Sequence, residues 1–269
     1  KIERKYKMNN TETKRMPVVF SGHGSPMIAI EHNDITEGMA SVGRKVLEEY
    51  GRPKAILAIS AHWFSRGTFI QSQEEPRQIY DMYGFPEELY QVKYPVSGSK
   101  ELTSEVENIL GEDVSIDDSW GIDHGTWTVL VHMFPDAQIP VVQLSVNSKL
   151  NAEQSYEMGR KLKSLRDKGY LILGSGNVVH NLRMTDWDNP GGTPMTVSFN
   201  DRITEAIEAG DFKTVVDYNS IEYASYAVPT PDHFLPLLYC LGAGEGDEVE
   251  TFNKVCNLGS MAMTGYFFK

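Results

Sequence analysis

Cysteine is nearly absent from this chain, with only Cys240 and Cys256 in 269 residues. Two cysteines cannot form the paired framework that staples small secreted scaffolds. No Cys-x-x-Cys occurs, which removes structural zinc of the finger and ribbon kinds. Long apolar runs are missing as well, and none approaches the roughly 20 residues of a membrane helix. Positive charge is scarce: 25 Lys+Arg stand against 37 Asp+Glu, a formal net charge of −12. An acidic surface repels phosphate backbones, so nucleic acid is not an expected partner. Residues 1–15 hold six of the Lys and Arg and two of the acids, and lack the apolar core of a signal peptide. They read as a disordered lead-in or expression remnant; without them the balance is 19 − 35 = −16. The expectation is a cytoplasmic protein with no membrane partner. No pattern in the chain specifies an oligomeric state.

What is present suits an ordered domain. At 41% hydrophobic residues the composition is globular, far from the signature of disorder. PVVFSGHGSP opens residues 16–269 as a β-branched run that ends in small residues, a strand leading into a loop. Met39, Val42, Val46, Leu47 and Tyr50 recur at helical spacing within residues 36–50, and Gly51 stands where that helix would stop. AILAIS at 55–60, IPVVQLSV at 139–146 and YLILGSGN at 170–177 lack polar alternation, as strands covered on both faces do. Residues 152–167 read as a helix between the second and third of these. Alternating strands and helices imply an α/β fold, one domain with a mostly parallel central sheet and helices on both faces. VETFNKVCN and MAMTGYFF read as antiparallel additions near the C-terminus. Residues 63–120, with several Pro and Gly, are expected to hold hairpins and loops, and GAGEGDEVE at 242–250 reads as a solvated connection.

The informative feature is where the seven histidines fall. His23 follows the first strand, His62 closes the second, and His180 lies just past the third in GSGNVVHNL. Ligands of open parallel sheets gather outside the carboxyl ends of the strands, so these three should meet in one crevice. His124 lies in the Gly-flanked loop WGIDHGTW, and His233 lies in PTPDHFLP near the start of a helix. His32 and His132 read as surface or structural. Any single histidine after a strand is ordinarily a hydrogen-bonded loop residue; three at equivalent places in three βα units point to a metal site. Imidazole suits iron, zinc, copper and nickel, whereas magnesium and calcium prefer oxygen.

Other motifs carry less. The zinc-deaminase, His-Glu-x-x-His and Gly-x-Ser-x-Gly signatures are all missing. Gly174, Ser175, Gly176 and Asn177 lack the third glycine of a dinucleotide fingerprint and read as a tight turn beside the site. Asp186 and Asp188 in DWDNPGG could ligate a metal but read more simply as a solvated turn. Trp120, Tyr226 and Phe234 are candidate wall residues and equally plain packing.

Together SGHGSP, SAHW, GIDHGTW, GSGNVVHNL and PTPDHFLPL resemble the DODA-type extradiol ring-cleavage dioxygenases of the class III, LigB-like superfamily. The match runs in the family's order over 16–269. It implies a mononuclear divalent metal, Fe(II) for activity or Zn(II) as bound, that takes a DOPA-like catechol together with O2. His23 and His62 match the first two ligands. Where the wider class carries a glutamate this segment offers His233 beside Asp232, a departure typical of the DODA-type branch, whose sites hold zinc on histidines. His180 matches the active-site base of the wider class and a ligand of the branch, and stands as a candidate for both. His124 is the candidate for stabilising bound oxygen or donating a proton.

Two other classes stay open at the level of sequence. Memo-like relatives share this architecture as non-catalytic binding proteins, which have no need of His124 and His180 beyond the ligands. A zinc-dependent hydrolase of a small substrate would work without oxygen.

Overall fold

The computed structural model describes residues 14–269; most of the lead-in assigned to 1–15 lies outside the described residues. β1 (Val18–Gly22), β2 (Ala55–Ser65), β5 (Val141–Asn147) and β6 (Tyr170–Gly176) form the parallel centre of an eight-stranded sheet, in the order β5-β2-β6-β1. At one side β3 (Phe69–Ile70) runs antiparallel to β5 and carries β4 (Ser115–Ile116) beyond it. At the other side β10 (Gly265–Phe268) runs antiparallel to β1, with β7 (Val249–Phe252) outside it. The two remaining strands, β8 (Cys256–Asn257) and β9 (Met261–Ala262), pair with each other as a separate hairpin. The antiparallel C-terminal additions expected from the sequence are therefore present.

The central strands show no polar alternation because both faces are covered. Phe20, Leu57, Val142 and Ile172 point into one core with α3 (Lys100–Leu110), α5 (Ala152–Leu162), α6 (Pro194–Glu208) and α9 (Leu235–Ala243). Val19, Ile56, Val141 and Leu171, one residue out of step, point into the other with α1 (Asp34–Lys45) and α4 (His124–Met133). Each such side chain contributes about 1.5–3 kcal/mol on burial. Short turns at α2 (Glu87–Tyr90), α7 (Phe212–Val216) and α8 (Ala224–Ala227) complete the chain.

Four expectations need correction. The first helix starts at Asp34, two residues early, because Asn33 closes a capping box with Thr36: its side chain accepts from the Thr36 amide at 3.1 Å, and Thr36 Oγ1 accepts from the Asn33 amide at 3.0 Å. Residues 63–120 include a true helix, α3, capped by Ser99 and buried through Leu102, Val106 and Leu110. His124 opens α4 instead of sitting in a loop, because Asp123 caps that helix by accepting from the Thr126 amide at 3.2 Å. The segment 242–250 is not simply solvated: Asp247 is buried 2.6 Å from the guanidinium of Arg166, itself fully buried.

Helices α5 and α9 touch backbone to backbone. A Cβ on Gly159 would stand 2.0 Å from the Tyr239 carbonyl oxygen, and one on Gly242 would stand 2.0 Å from that of Tyr156. Gly242→Ala must push the helices apart and is expected to cost about 1–3 kcal/mol in urea unfolding; an unchanged midpoint would show that the pair is free to slide.

Candidate metal centre and active-site cleft

All five histidines singled out by position line one cleft of about 240 Å³ at the carboxyl ends of the central strands. Its remaining wall is largely apolar and includes Met82, Tyr83, Phe85, Leu182, Trp187 and Met261. Trp120, Tyr226 and Phe234 are not part of it: the Trp120 indole donates to Asp123 at 3.0 Å, the Tyr226 hydroxyl sits 3.0 Å from Thr193 Oγ1, and Phe234 is buried in the core. His32 is exposed, and His132 lies with Nε2 2.7 Å from the Ile28 carbonyl, a structural contact.

His23 leaves β1 directly after Gly22. His62 is placed differently from the sequence expectation, because β2 runs past it to Ser65. The ladder with β5 pairs Ser60 with Ser145 and resumes with Phe64 opposite Val146, so residues 61–63 form a bulge that frees His62 from the pairing. His233 sits two residues before α9, and its carbonyl accepts the Asn177 amide at 2.9 Å, tying it to the end of β6. The His180 amide donates to the Ala227 carbonyl at 3.0 Å.

Ligand nitrogens of His23, His62 and His233 lie within 4.8 Å of one another, with His23 Nε2 and His62 Nε2 only 3.1 Å apart. Each of these rings has a partner on its other nitrogen. Ser175 Oγ is 2.9 Å from His23 Nδ1, the Asp232 carboxylate holds His233 Nδ1, and Asp81 Oδ2 is 3.6 Å from His62 Nδ1. Outer partners of this kind fix ring orientation in metal sites. His180 stands outside the converging set and stacks flat on His233, with ring centroids 3.5 Å apart and planes at 4°. His124 lies 3.8 Å from the His62 ring, its Nδ1 3.0 Å from Asp81 Oδ1, and its amide donates to that same oxygen at 2.8 Å.

The donor set fits a divalent metal. His233 Nε2 is buried without a hydrogen-bond partner, the condition of a ligand atom awaiting its ion. Burial first, and the neighbouring histidines second, hold His23 and His62 well below the ordinary imidazole range, and the same causes push His180 down to about 3. Neutral imidazole is the form that ligates. Burial alone would raise the Asp232 carboxyl, but its bond to His233 holds it below the usual range. Asp123 goes the other way, raised by burial and by Asp81 against the hydrogen bonds from Trp120 and Ser60.

These directions set the acid stability of the metal-free protein. A histidine whose pKa is depressed on folding binds fewer protons folded than unfolded, so its contribution is full above about 6.5 and is lost as pH falls below that value. With three such groups, the loss between pH 7 and 5.5 is expected to reach about 3–4 kcal/mol, read from urea midpoints in chelator. A flat midpoint over that interval would show that the cluster takes up protons while folded.

Sequence reasoning read Gly174, Ser175 and Gly176 as a tight turn, whereas they are the last residues of β6, held extended by pairing with β1. It missed Asp81 and the brace around Asp123. That brace is Ser60 Oγ donating at 2.7 Å and Gln143 Nε2 donating at 2.7 Å to its carboxylate. Only Asp123 had a local signal, as an acid in the capping position just before a helix.

Fold and cleft together define an α/β enzyme whose site is made of imidazole and an apolar wall. Residues 17–269 match the family described as the catalytic LigB subunit of aromatic ring-opening dioxygenase. The 4,5-DOPA dioxygenase extradiol of Escherichia coli (strain K12) is 42% identical over 256 residues, covering 93% of each chain. That of Beta vulgaris is 35% identical over 255 residues, covering 93% of this chain and 95% of its own. The crystal structure of an uncharacterized Escherichia coli K12 protein superposes with a TM-score of 0.82 at 38% identity, covering 95% of this chain and all of that one, 100%. The chain belongs to this LigB family of aromatic ring-opening dioxygenases, oxidoreductases that cleave aromatic rings with O2. Among the described residues no helix is long and apolar enough to cross a membrane.

Proposed function

We propose that this enzyme is a metal-dependent extradiol dioxygenase that opens the ring of a DOPA-like catechol next to its two hydroxyls. The observation that carries the reading is the convergence of His23, His62 and His233 within 4.8 Å in a cleft with apolar walls. These three residues would hold one divalent ion per chain. Iron(II) held there would supply the redox chemistry that ring opening with O2 requires, a role that zinc does not fill.

The chain's own groups handle protons and position. Asp81 Oδ1, 3.0 Å from His124 Nδ1, faces that ring, and His124 is the group placed to move a proton to or from the catechol. His180, held neutral on the face of His233, accepts a hydrogen bond from a substrate hydroxyl and borders the ion as a further ligand candidate. Met82, Phe85 and Met261 give the ring a dry bed. The substrates are thus a small catechol and O2, with no membrane or nucleic acid involved. Two unpaired cysteines support a reducing, cytoplasmic setting.

Five histidines in one cleft, together with family membership, favour this reading over a Memo-like binding protein or a zinc-dependent hydrolase. The test is anaerobic loading with Fe(II), followed by DOPA, caffeate or protocatechuate in air, with O2 uptake and a yellow ring-opened product as readouts. Uptake well above a His62→Ala control is expected. If no catechol raises uptake above that control, the reading fails.

A further inference from the structure

Beside the three converging histidines lies a second group of ligand atoms. One atom each from His62, Asp81 and His124 lies within 4.8 Å of the others. The nitrogens that face Asp81 are Nδ1 of both rings, 3.6 Å from Oδ2 for His62 and 3.0 Å from Oδ1 for His124, whereas His62 Nε2 faces His23. Hydrogen bonding does not account for the group. Asp81 Oδ1 accepts the His124 backbone amide at 2.8 Å, and the ring nitrogen beside it is buried with no hydrogen-bond partner. Charge is unbalanced as well. Among the described residues only histidines pair with Asp81, and no lysine or arginine does. Asp123, one residue before His124, is a second buried carboxylate, and Asp81 joins burial in pushing its carboxyl up. A carboxylate without a basic partner, a second acid nearby and an unpartnered imidazole nitrogen together suit a cation.

We propose that Asp81, His124 and Nδ1 of His62 form a second divalent-cation site, weaker than the first, where zinc(II) lodges and silences the enzyme. Two imidazoles and one carboxylate are a set that zinc accepts, with a fourth place left for water. Solvent reaches it, since the side chains of Asp81 and His62 keep 15% and 22% of their surface exposed. The two sites share a ring but no atom, because Nε2 of His62 turns to the first and Nδ1 to the second. To serve both, that ring gives up its Nδ1 proton, and the resulting imidazolate and the Asp81 carboxylate together offset the two charges of the second ion. Losing that proton, and binding beside a charge already in place, makes this the weaker site. The inhibitory consequence rests on the ring-opening reading above. With zinc on Nδ1, His124 carries its one proton on Nε2 and has no lone pair left to accept another from the catechol.

Metal-free protein is titrated with zinc against a chromophoric chelator, beside His124→Gln, Asp81→Asn and, because His32 is exposed, His32→Gln as a control. Wild type and His32→Gln are expected to bind two equivalents, the second more weakly. His124→Gln and Asp81→Asn are expected to bind one, which also shows that they still fold around the first ion; in Asp81→Asn that ion is held more loosely. A wild type that binds a single equivalent overturns the site. So does a second equivalent that survives in both site variants or vanishes in His32→Gln. A functional arm adds excess zinc to the iron-loaded enzyme while O2 uptake and bound iron are followed together. Uptake is expected to fall about a hundredfold with iron retained, the size of a lost proton-transfer group. Loss of iron in step with activity would mean displacement at the first site and overturns the inhibitory role. If no catechol is consumed even without zinc the ring-opening reading fails instead, and the stoichiometry still decides for or against the second site.

Discussion

His62→Ala is expected to abolish ring cleavage and to weaken metal binding by more than a hundredfold, beyond the roughly 10–100-fold typical of losing an outer partner. The ring occupies two places at once. Its Nε2 lies 3.1 Å from that of His23 in the converging set, while its Nδ1 faces Asp81 and its body packs 3.8 Å from His124. On the proposed reading, alanine removes a ligand, leaves His23 and His233 too few to hold an ion, and strips His124 of its neighbour. Asp81→Asn, which keeps every ligand, is expected to fall within the 10–100-fold range for affinity. Metal retained after dialysis against a graded chelator, beside O2 uptake with a catechol, checks both. A His62→Ala protein that still binds one ion with full affinity would mean that His180 completes the set in its place.

Arg166→Met is expected to lower stability by about 3–5 kcal/mol, a large share of what a domain possesses. The guanidinium is fully buried, donating from Nε to the Met16 carbonyl at 2.7 Å and from Nη1 to the Ala243 carbonyl at 2.7 Å, with Asp247 at 2.6 Å. Its third nitrogen reaches the Lys269 carbonyl at 3.3 Å. One side chain therefore ties the entry to β1, the end of α9 and the C-terminus. Methionine fills much of the volume but leaves the buried Asp247 carboxylate with only the longer contact to Arg15 at 3.4 Å. Urea unfolding measures the loss. Adding Asp247→Asn to the variant should recover part of it, and a double variant no better than the single would show that the carbonyls, not the charge, dominate.

The parts of this fold that could be read from sequence are those dictated locally. AILAIS and YLILGSG announce strands buried on both faces because no polar residue interrupts them, and helices lie over both faces of β2 and β6. The five histidines were legible because strand ends in a parallel sheet share one side. What escaped depended on contacts distant in sequence. α3 was hidden in a stretch rich in Pro and Gly, though Leu102, Val106 and Leu110 keep helical spacing. Arg166 reads as one more surface charge until the fold closes over it. Asp81 has no local mark at all; it joins His62 and His124 only once its loop crosses the strand ends. Ser175 lies within β6, where its register beside Ser21 of β1 sets its hydroxyl 2.9 Å from His23.

The bulge in β2 separates the survival of the sheet from that of the metal centre. Pairing is in register before Ser60 and again from Phe64, so residues 61–63 act as a spacer whose length alone decides where the imidazole of His62 arrives. A family member that lost one residue from this spacer would retain its strands, its core and most of its overall likeness, yet present the histidine off its mark. Counting residues between the positions equivalent to Ser60 and Phe64 thus becomes a way of sorting relatives into those built to hold an ion and those that have kept only the scaffold.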